Sequence, residues 1–161
     1  MPGRHSASGG RYFDSGLPLL QHGNKFINET EVNMLQTGIK GTMERIVTEE
    51  LTAKAMGSGE LPVFATPAVV ALAEETAWKS VAGELEEGQG SVGIKMTLSH
   101  IAATPLGMKV RCETELTKID RKRLVFSVAA YDEAGKIAEG THERFIVDND
   151  KFLRKAEQKR T

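Results

Sequence analysis

The sequence is short of the residues that cross-link small proteins or bind metals. Its 161 residues include one cysteine, Cys112, so an internal disulfide framework and a CxxC site are both excluded. Cys112 lies in an alternating, strand-like segment, and we expect a small buried hydrophobe rather than a reactive thiol. The four histidines have unrelated spacings, so we expect no metal site. A chain without disulfides fits a reducing compartment, and we predict a cytoplasmic protein.

The chain also lacks long apolar runs and a strong excess of charge. Its formal net charge is -1 and no long basic run is present, so we expect no nucleic-acid partner. No segment is long and apolar enough to span a membrane, and the polar start "MPGRHSASGG" does not resemble a signal peptide. The HExxH, P-loop, GxGxxG and GxSxG motifs are absent as well. The common metalloprotease, nucleotide-binding and serine-hydrolase sites are therefore not indicated.

What is present predicts one α+β domain. Residues 1–33 have no sustained hydrophobic period and are interpreted as a poorly ordered extension, whereas residues 34–161 alternate regularly. The order is one strand, one long helix and then four strands without intervening helices. Parallel strands would need such helices, so we predict an antiparallel sheet of about five strands that wraps around the buried helix.

The helix is expected to run from Pro67 to about Leu85. Thr66 is a suitable N-cap and Pro67 is favoured at the first helical position. The segment "EEGQG" then ends the helix, because it is rich in glycine and charge.

Two adjacent glutamates in this helix have different surroundings. Glu75 is followed four residues later by Lys79, which is the spacing of a solvated ion pair. Glu74 has only apolar neighbours at helical spacing, and these are Val70, Ala71, Ala77 and Trp78. A buried carboxylate needs a partner, a raised pKa or a wet cleft. Glu74 is therefore a candidate catalytic group, unless the helix edge turns it to solvent.

A histidine has a similar position on the strand that follows the helix. The alternating apolar residues Val92, Ile94, Met96 and Leu98 lead to His100. His100 on a facing element could form an acid/base pair with Glu74, although a histidine satisfied in the core would give the same pattern.

Two further polar residues, Thr66 and His142, are candidates for roles in the site or in packing. Thr66 lies at the N-terminus of the helix, where free N–H groups suit a polarised carbonyl, but it could also be a simple cap. His142, in "GTHERF", is expected to have a packing or interface role.

Three segments together resemble the fluoroacetyl-CoA thioesterase-like group of hot-dog-fold proteins. They are "FATPAVVALAEETAW", "SVGIKMTLSHIAATPLGMKV" and "AEGTHERFIV", and the similarity runs from about Met34 to the C-terminal helix. The resemblance implies a long central helix wrapped by a curved antiparallel sheet, a homodimer joined through sheet edges, and an acyl-CoA substrate. CoA belongs to that substrate, so no separate cofactor is expected.

The resemblance also implies a site. Matching the motifs places the catalytic Thr, Glu and His at Thr66, Glu74 and His100. Substrate-binding candidates are Gly93 near the thioester carbonyl, Arg144 as a contact to CoA or at the interface, and Phe64.

One departure from the family concerns the segment before "FAT". The family's fluorine-selective enzyme has phenylalanines there, whereas "MGSGELPV" has no aromatic residue until Phe64. We therefore predict hydrolysis of a small acyl-CoA and do not predict fluoroacetate detoxification.

Two other functions remain open from the sequence. One is an acyl-thioester hydratase or dehydratase, although this sequence lacks the Asp/His acid/base motif of those hot-dog enzymes. The other is a non-catalytic module that binds CoA esters.

Overall fold

The computed structural model describes residues 34–160, and the predicted extension at 1–33 lies outside the described residues. Within that range the chain forms five strands and three α-helices with short 3₁₀ turns. The elements are β1 (Lys40–Ile46), α1 (Ala53–Met56), α2 (Thr66–Val81), β2 (Gln89–His100), β3 (Lys109–Asp120), β4 (Arg123–Asp132), β5 (Lys136–Asp148) and α3 (Asn149–Glu157). The 3₁₀ turns are Glu49–Leu51, Ala82–Glu84 and Gln158–Arg160.

The five strands form one antiparallel sheet in the order β1-β3-β4-β5-β2. β3, β4 and β5 are joined by tight turns, because consecutive antiparallel strands need only short connections. The long connection through α2 carries the chain from β1 at one edge to β2 at the other. β2 is therefore an edge strand that pairs on one side with β5 and has its other side unpaired within the described residues.

α2 packs along one side of the sheet, which is called the helix-facing side below. Its buried residues meet the buried positions of β3 and β4, which include Val110, Thr114 and Leu116, and Cys112 is buried as expected. Burial raises the pKa of the Cys112 thiol to about 11, so the thiol stays protonated at neutral pH. The predicted α+β fold and its wrapped helix are confirmed.

β2 departs from simple alternation at one position. Gly93 pairs with Arg144 and Lys95 pairs with Glu143, so Ile94 is an extra residue in the ladder, a β-bulge. Because of that insertion, Gly93 faces the helix at one end of the strand, and Met96, Leu98 and His100 face it at the other. The expectation that Val92 and Ile94 share the face of His100 is wrong, and Ile94 is half exposed.

The N-terminus of α2 also differs from the expected cap. Ala65 occupies the N-cap position without a side-chain bond, and Thr66 is the first helical residue. The Thr66 hydroxyl turns to His100 rather than back to the helix N–H groups. The helix ends at Val81 and continues as a 3₁₀ turn to Glu84, one residue short of the predicted end.

None of the helices between residues 34 and 160 is long and apolar enough to cross a bilayer.

Candidate active site

The first part of the site joins the start of α2 to the end of β2. Thr66 Oγ1 lies 2.8 Å from His100 Nδ1, which is a hydrogen bond between residues 34 positions apart. Helix and strand run antiparallel here, so the last residue of β2 meets the first residue of α2. The structure thus brings together two of the three residues predicted to be catalytic.

His100 has one nitrogen engaged and one to spare. Its Nε2 is buried and has no hydrogen-bond partner within residues 34–160. Burial lowers the pKa of His100 below its ordinary value, since the imidazolium loses hydration there. A neutral imidazole with a spare nitrogen can give or take a proton.

The second part of the site is centred on Glu74, two turns further along α2. Glu74 Oε2 lies 3.4 Å from Arg144 Nη1, and its side chain is 42% exposed. The carboxylate therefore has a cationic partner and also faces solvent. Among its predicted apolar neighbours Ala77 is buried, but Ala71 and Trp78 are exposed.

Arg144 is the buried centre of this second part. Its guanidinium donates from Nε to Ser91 Oγ (2.8 Å) and from Nη2 to the Ser91 carbonyl (2.7 Å). Nη1 lies 3.2 Å from His142 Nε2 and also faces Glu74. Arg144 is 5% exposed, so these bonds replace the hydration that a cation loses on burial.

Gly93 lies directly under the Glu74 carboxylate. A Cβ atom at position 93 would come within 2.7 Å of Glu74 Oε2 and 3.3 Å of His142 Cε1. The absence of a side chain therefore lets the strand backbone approach the carboxylate.

His142 was expected to pack or to form an interface, and the structure adds a polar role. It is 1% exposed, and its Nδ1 lies 2.9 Å from the Lys95 carbonyl at the bulge. Its Nε2 contacts Arg144, so both ring nitrogens are used. The sequence contained one signal of this role, because His142 and Arg144 alternate onto the same side of β5.

The two parts of the site are separated within one chain. Thr66 and Glu74 are eight residues apart on α2, or about 12 Å along the helix axis. Within the described residues no hydrogen bond joins Glu74 to His100, and each has a different partner. The predicted acid/base pair is therefore not formed inside a single chain.

Phe64 lies under an open cleft beside the first part of the site. The ring is buried, and the cleft of about 270 Å³ is lined mainly by small and apolar residues. They include Ala53, Val63, Ile101, Ala102 and Ala103, together with Thr66 and His100 themselves. An apolar group of limited size would fit beside the Thr66–His100 bond.

Glu75 has the surface role that its spacing predicted. It accepts from Lys79 Nζ at 2.6 Å and also pairs with Arg45 across the helix–sheet boundary. The hydrogen bond from Lys79 lowers the pKa of Glu75, and Arg45 adds to the effect.

The model of the fluoroacetyl-CoA-specific thioesterase family, FlK, matches residues 47–150, which is more than half of the chain. The chain belongs to this family. Over 97 residues it is 40% identical to the fluoroacetyl-CoA thioesterase of Streptantibioticus cattleyicolor. The aligned segment covers 60% of this chain and 70% of that protein. FlK-family members hydrolyse thioesters, and this chain is accordingly a thioester hydrolase of the acyl-CoA class.

Solved structures of two proteins described as thioesterases are also similar to this chain. The crystal structure of the fluoroacetyl-CoA thioesterase FlK superposes with a TM-score of 0.74 at 34% identity, over 78% of this chain and 97% of that one. A Thermus thermophilus protein described as a thioesterase superfamily member superposes with a TM-score of 0.71 at 29% identity, over 77% and 94%. The hot-dog fold expected from the three motifs is confirmed.

Proposed function

We propose that this FlK-family thioesterase hydrolyses a small, apolar acyl-CoA at a site formed by Thr66, Glu74 and His100. The observation that carries the proposal is the Thr66–His100 hydrogen bond beside an apolar cleft, with a carboxylate on the same helix. A thioester needs a group that attacks the acyl carbon, or activates water to do so, and a proton donor for the leaving thiolate.

Each residue has a distinct task in the proposed reaction. Glu74 attacks the acyl carbon to give an anhydride that water then hydrolyses, or it takes the proton from the attacking water. His100 relays the proton released by the attacking water, since its neutral ring accepts that proton, directly in the first route and from Glu74 in the second, and passes it to the CoA thiolate. Thr66 holds His100 through Nδ1. The Gly93 N–H and the N–H groups at the start of α2 would polarise the carbonyl.

The apolar cleft indicates the class of acyl group. Apart from His100, no ionisable side chain is among the residues that line it between positions 34 and 160. A charged acyl group would lose hydration there without a partner, whereas a short or branched alkyl chain would not. We therefore expect short and branched acyl-CoAs to be turned over faster than dicarboxylic ones.

The separation of Glu74 from His100 is resolved if the enzyme is a homodimer. β2 is an edge strand whose residues are mostly exposed from Gly93 onward. Antiparallel pairing of two β2 strands about a two-fold axis near Met96 sets His100 of one copy opposite the region of Gly93 in the other. Glu74 lies over Gly93, so each site would combine Thr66 and His100 from one chain with Glu74 from its partner.

A stripe along α2 and the 3₁₀ turn that follows it supports the same arrangement. Pro67, Ala71, Trp78 and Ala82 are exposed and follow one another at helical spacing, with Glu74 within the stripe. Exposed apolar residues at this spacing are typical of a helix face that packs against another surface.

Hydrolysis is tested by following thiol release from a panel of short, branched and aromatic acyl-CoAs. We expect turnover by the wild type and strong loss in E74A, H100A and T66A, with E75A as a matched helix control. Wild-type turnover in both E74A and H100A would reject the assignment. Hydration of an enoyl-CoA with the thioester intact, or binding without turnover across the panel, would indicate one of the two other functions.

The shared site is tested by mixing the two inactive variants. About half of the dimers formed from equal amounts of E74A and H100A chains would contain one chain of each kind. Such a mixed dimer has one intact site, with His100 from the E74A chain and Glu74 from the H100A chain, and one site with both substitutions. The mixture should therefore show about a quarter of wild-type activity. A site contained in one chain predicts no recovery on mixing, because every site would then carry one substitution.

A further inference from the structure

We propose that His142 is a positioning residue for the catalytic carboxylate, held in a single neutral tautomer that fixes Arg144 beneath Glu74. This inference rests on the proposed function of Glu74 and assigns a role in the reaction to a histidine that the Thr66/Glu74/His100 mechanism does not use. His142 touches neither the acyl cleft nor Glu74 through a hydrogen bond, so it acts through Arg144.

The tautomer follows from the two partners of the ring. The Lys95 carbonyl can only accept, so His142 Nδ1 must carry a hydrogen and donate it over 2.9 Å. The Arg144 guanidinium can only donate, so His142 Nε2 must be unprotonated and accept over 3.2 Å. An imidazolium would place an N–H of Nε2 against the N–H of Arg144, and this arrangement therefore requires the neutral form.

The surroundings of the ring favour the neutral form too. Burial lowers the pKa of His142, and the Arg144 charge adds to this, whereas the hydrogen bond to the Lys95 carbonyl and the charges of Glu74 from α2 and Glu143 on its own strand oppose it. The Phe126 ring from β4 is stacked near it, with centroids 6.3 Å apart, and contributes no charge. β2 presents the Lys95 carbonyl.

The bonds to His142 also explain the orientation of Arg144. Ser91 holds one side of the guanidinium through Nε and Nη2, which leaves Nη1 as the nitrogen shared by His142 and Glu74. An acceptor at His142 Nε2 fixes the direction of Nη1, and Nη1 in turn defines where Oε2 of Glu74 lies. Because the other ring nitrogen is tied to the bulge of β2, one imidazole links the bulge to the carboxylate.

Two substitutions separate the two halves of this role. The amide of Gln reaches about where Nε2 of histidine lies, and the amide of Asn reaches about where Nδ1 lies. H142Q can therefore accept from Arg144 but loses the Lys95 bond, whereas H142N can donate to Lys95 but leaves Arg144 without its acceptor. We expect kcat to fall by roughly tenfold or more in H142N, with KM nearly unchanged, and to recover substantially in H142Q.

The closing experiment has a readout that does not depend on turnover. Long-range ¹H–¹⁵N NMR of wild type with labelled histidine is expected to show His142 protonated at Nδ1 alone at neutral pH. Crystal structures of both variants should show the Arg144–Glu74 contact retained in H142Q and lengthened in H142N. E75Q serves as a variant control for expression and folding.

The outcomes distinguish this inference from the proposed function. The positioning role would be overturned by any one of three results. These are a protonated His142 Nε2 at neutral pH, an Arg144–Glu74 contact that is unchanged in H142N, or equal kcat values for soluble H142N and H142Q. Wild type that turns over no acyl-CoA would overturn the proposed function, while the NMR and crystallographic results would still decide the hydrogen-bond arrangement. If neither variant folds, the NMR spectrum of the wild type decides the tautomer.

Discussion

His100 and His142 lie on neighbouring strands, β2 and β5, and face the same helix, yet their surroundings are opposite. His100 has one hydroxyl partner and a spare nitrogen beside an open cleft. His142 has both nitrogens engaged under the carboxylate of Glu74. The histidine that we propose to move protons has an unused nitrogen, and the one that we propose to hold Arg144 has none. Residue type alone therefore does not assign a role, whereas the partners of the ring nitrogens distinguish these two residues.

The largest expected effect separates two adjacent glutamates. E74Q should lower kcat by about 10²- to 10⁴-fold, because it removes the attacking or proton-accepting carboxylate. E75Q should retain activity within about twofold. Glu75 forms solvated ion pairs with Arg45 and Lys79, and each such pair contributes roughly 0–1 kcal/mol to the free energy of unfolding. Thiol-release kinetics with thermal unfolding of both variants checks this, and similar losses of activity in the two would contradict the distinction.

A second test uses two glycines that each admit a close approach. At Gly93 a Cβ would meet the far end of the Glu74 side chain, so G93A should fold but displace the carboxylate, lowering kcat by roughly 10- to 100-fold. At Gly140 a Cβ would meet the Thr97 backbone, which cannot move without separating β5 from β2. G140A should therefore lower the free energy of unfolding by about 1–3 kcal/mol or more.

The measurements for this pair are chemical denaturation and steady-state kinetics on the soluble fractions. If G93A lowered the free energy of unfolding as much as G140A, we would conclude that Gly93 is needed for packing of the fold rather than for the position of the Glu74 carboxylate.

A smaller effect is expected at the other part of the site. T66V keeps the shape of the side chain but removes the hydroxyl that holds His100, so kcat should fall by about tenfold, the value of one hydrogen bond of about 1 kcal/mol or slightly more. T66S keeps the hydroxyl and should retain most of the activity. Equal activity of T66V and T66S in the thiol-release assay would show that the bond is not used.

The mildest change is one of pH. Burial lowers the pKa of His100 below 6.5, so the neutral ring should persist into mildly acidic solution. If turnover needs neutral His100, kcat/KM should fall to half of its maximum only at a pH below 6.5. A pH–rate profile whose acid-side half-maximal point lies above pH 6.5 would contradict the role of burial.

The fold followed from the sequence to a large extent, because alternation and helix length are local signals. The alternating segment around Cys112 was predicted to be a strand with the thiol buried, and the spacing of Glu75 and Lys79 identified a surface pair. Thr66 and His100 were selected from the sequence, but their direct bond depends on how far β2 runs past the start of α2, which local patterns do not fix.

Two features were not predictable from local patterns. The bulge at Ile94 directly follows Gly93, but one glycine in a strand does not fix where an extra residue lies, so regular alternation assigned Val92 and Ile94 to the wrong face. The Glu74–Arg144 contact joins residues 70 positions apart and depends on the packing of α2 over β5. A search for apolar neighbours on the helix could show that Glu74 was unusual, but it could not name its partner.

The bulge in β2 also sets a limit on how the strand can change in length. Gly93 and His100 are seven residues apart, an odd interval that would place them on opposite faces of a regular strand. Removing Ile94 would leave an even interval of six, so both residues would stay on the helix-facing side of a strand without a bulge. Inserting one further residue between them while the bulge persists would instead turn either Gly93 or His100 outward, and a thiol-release assay of such an insertion would register the loss.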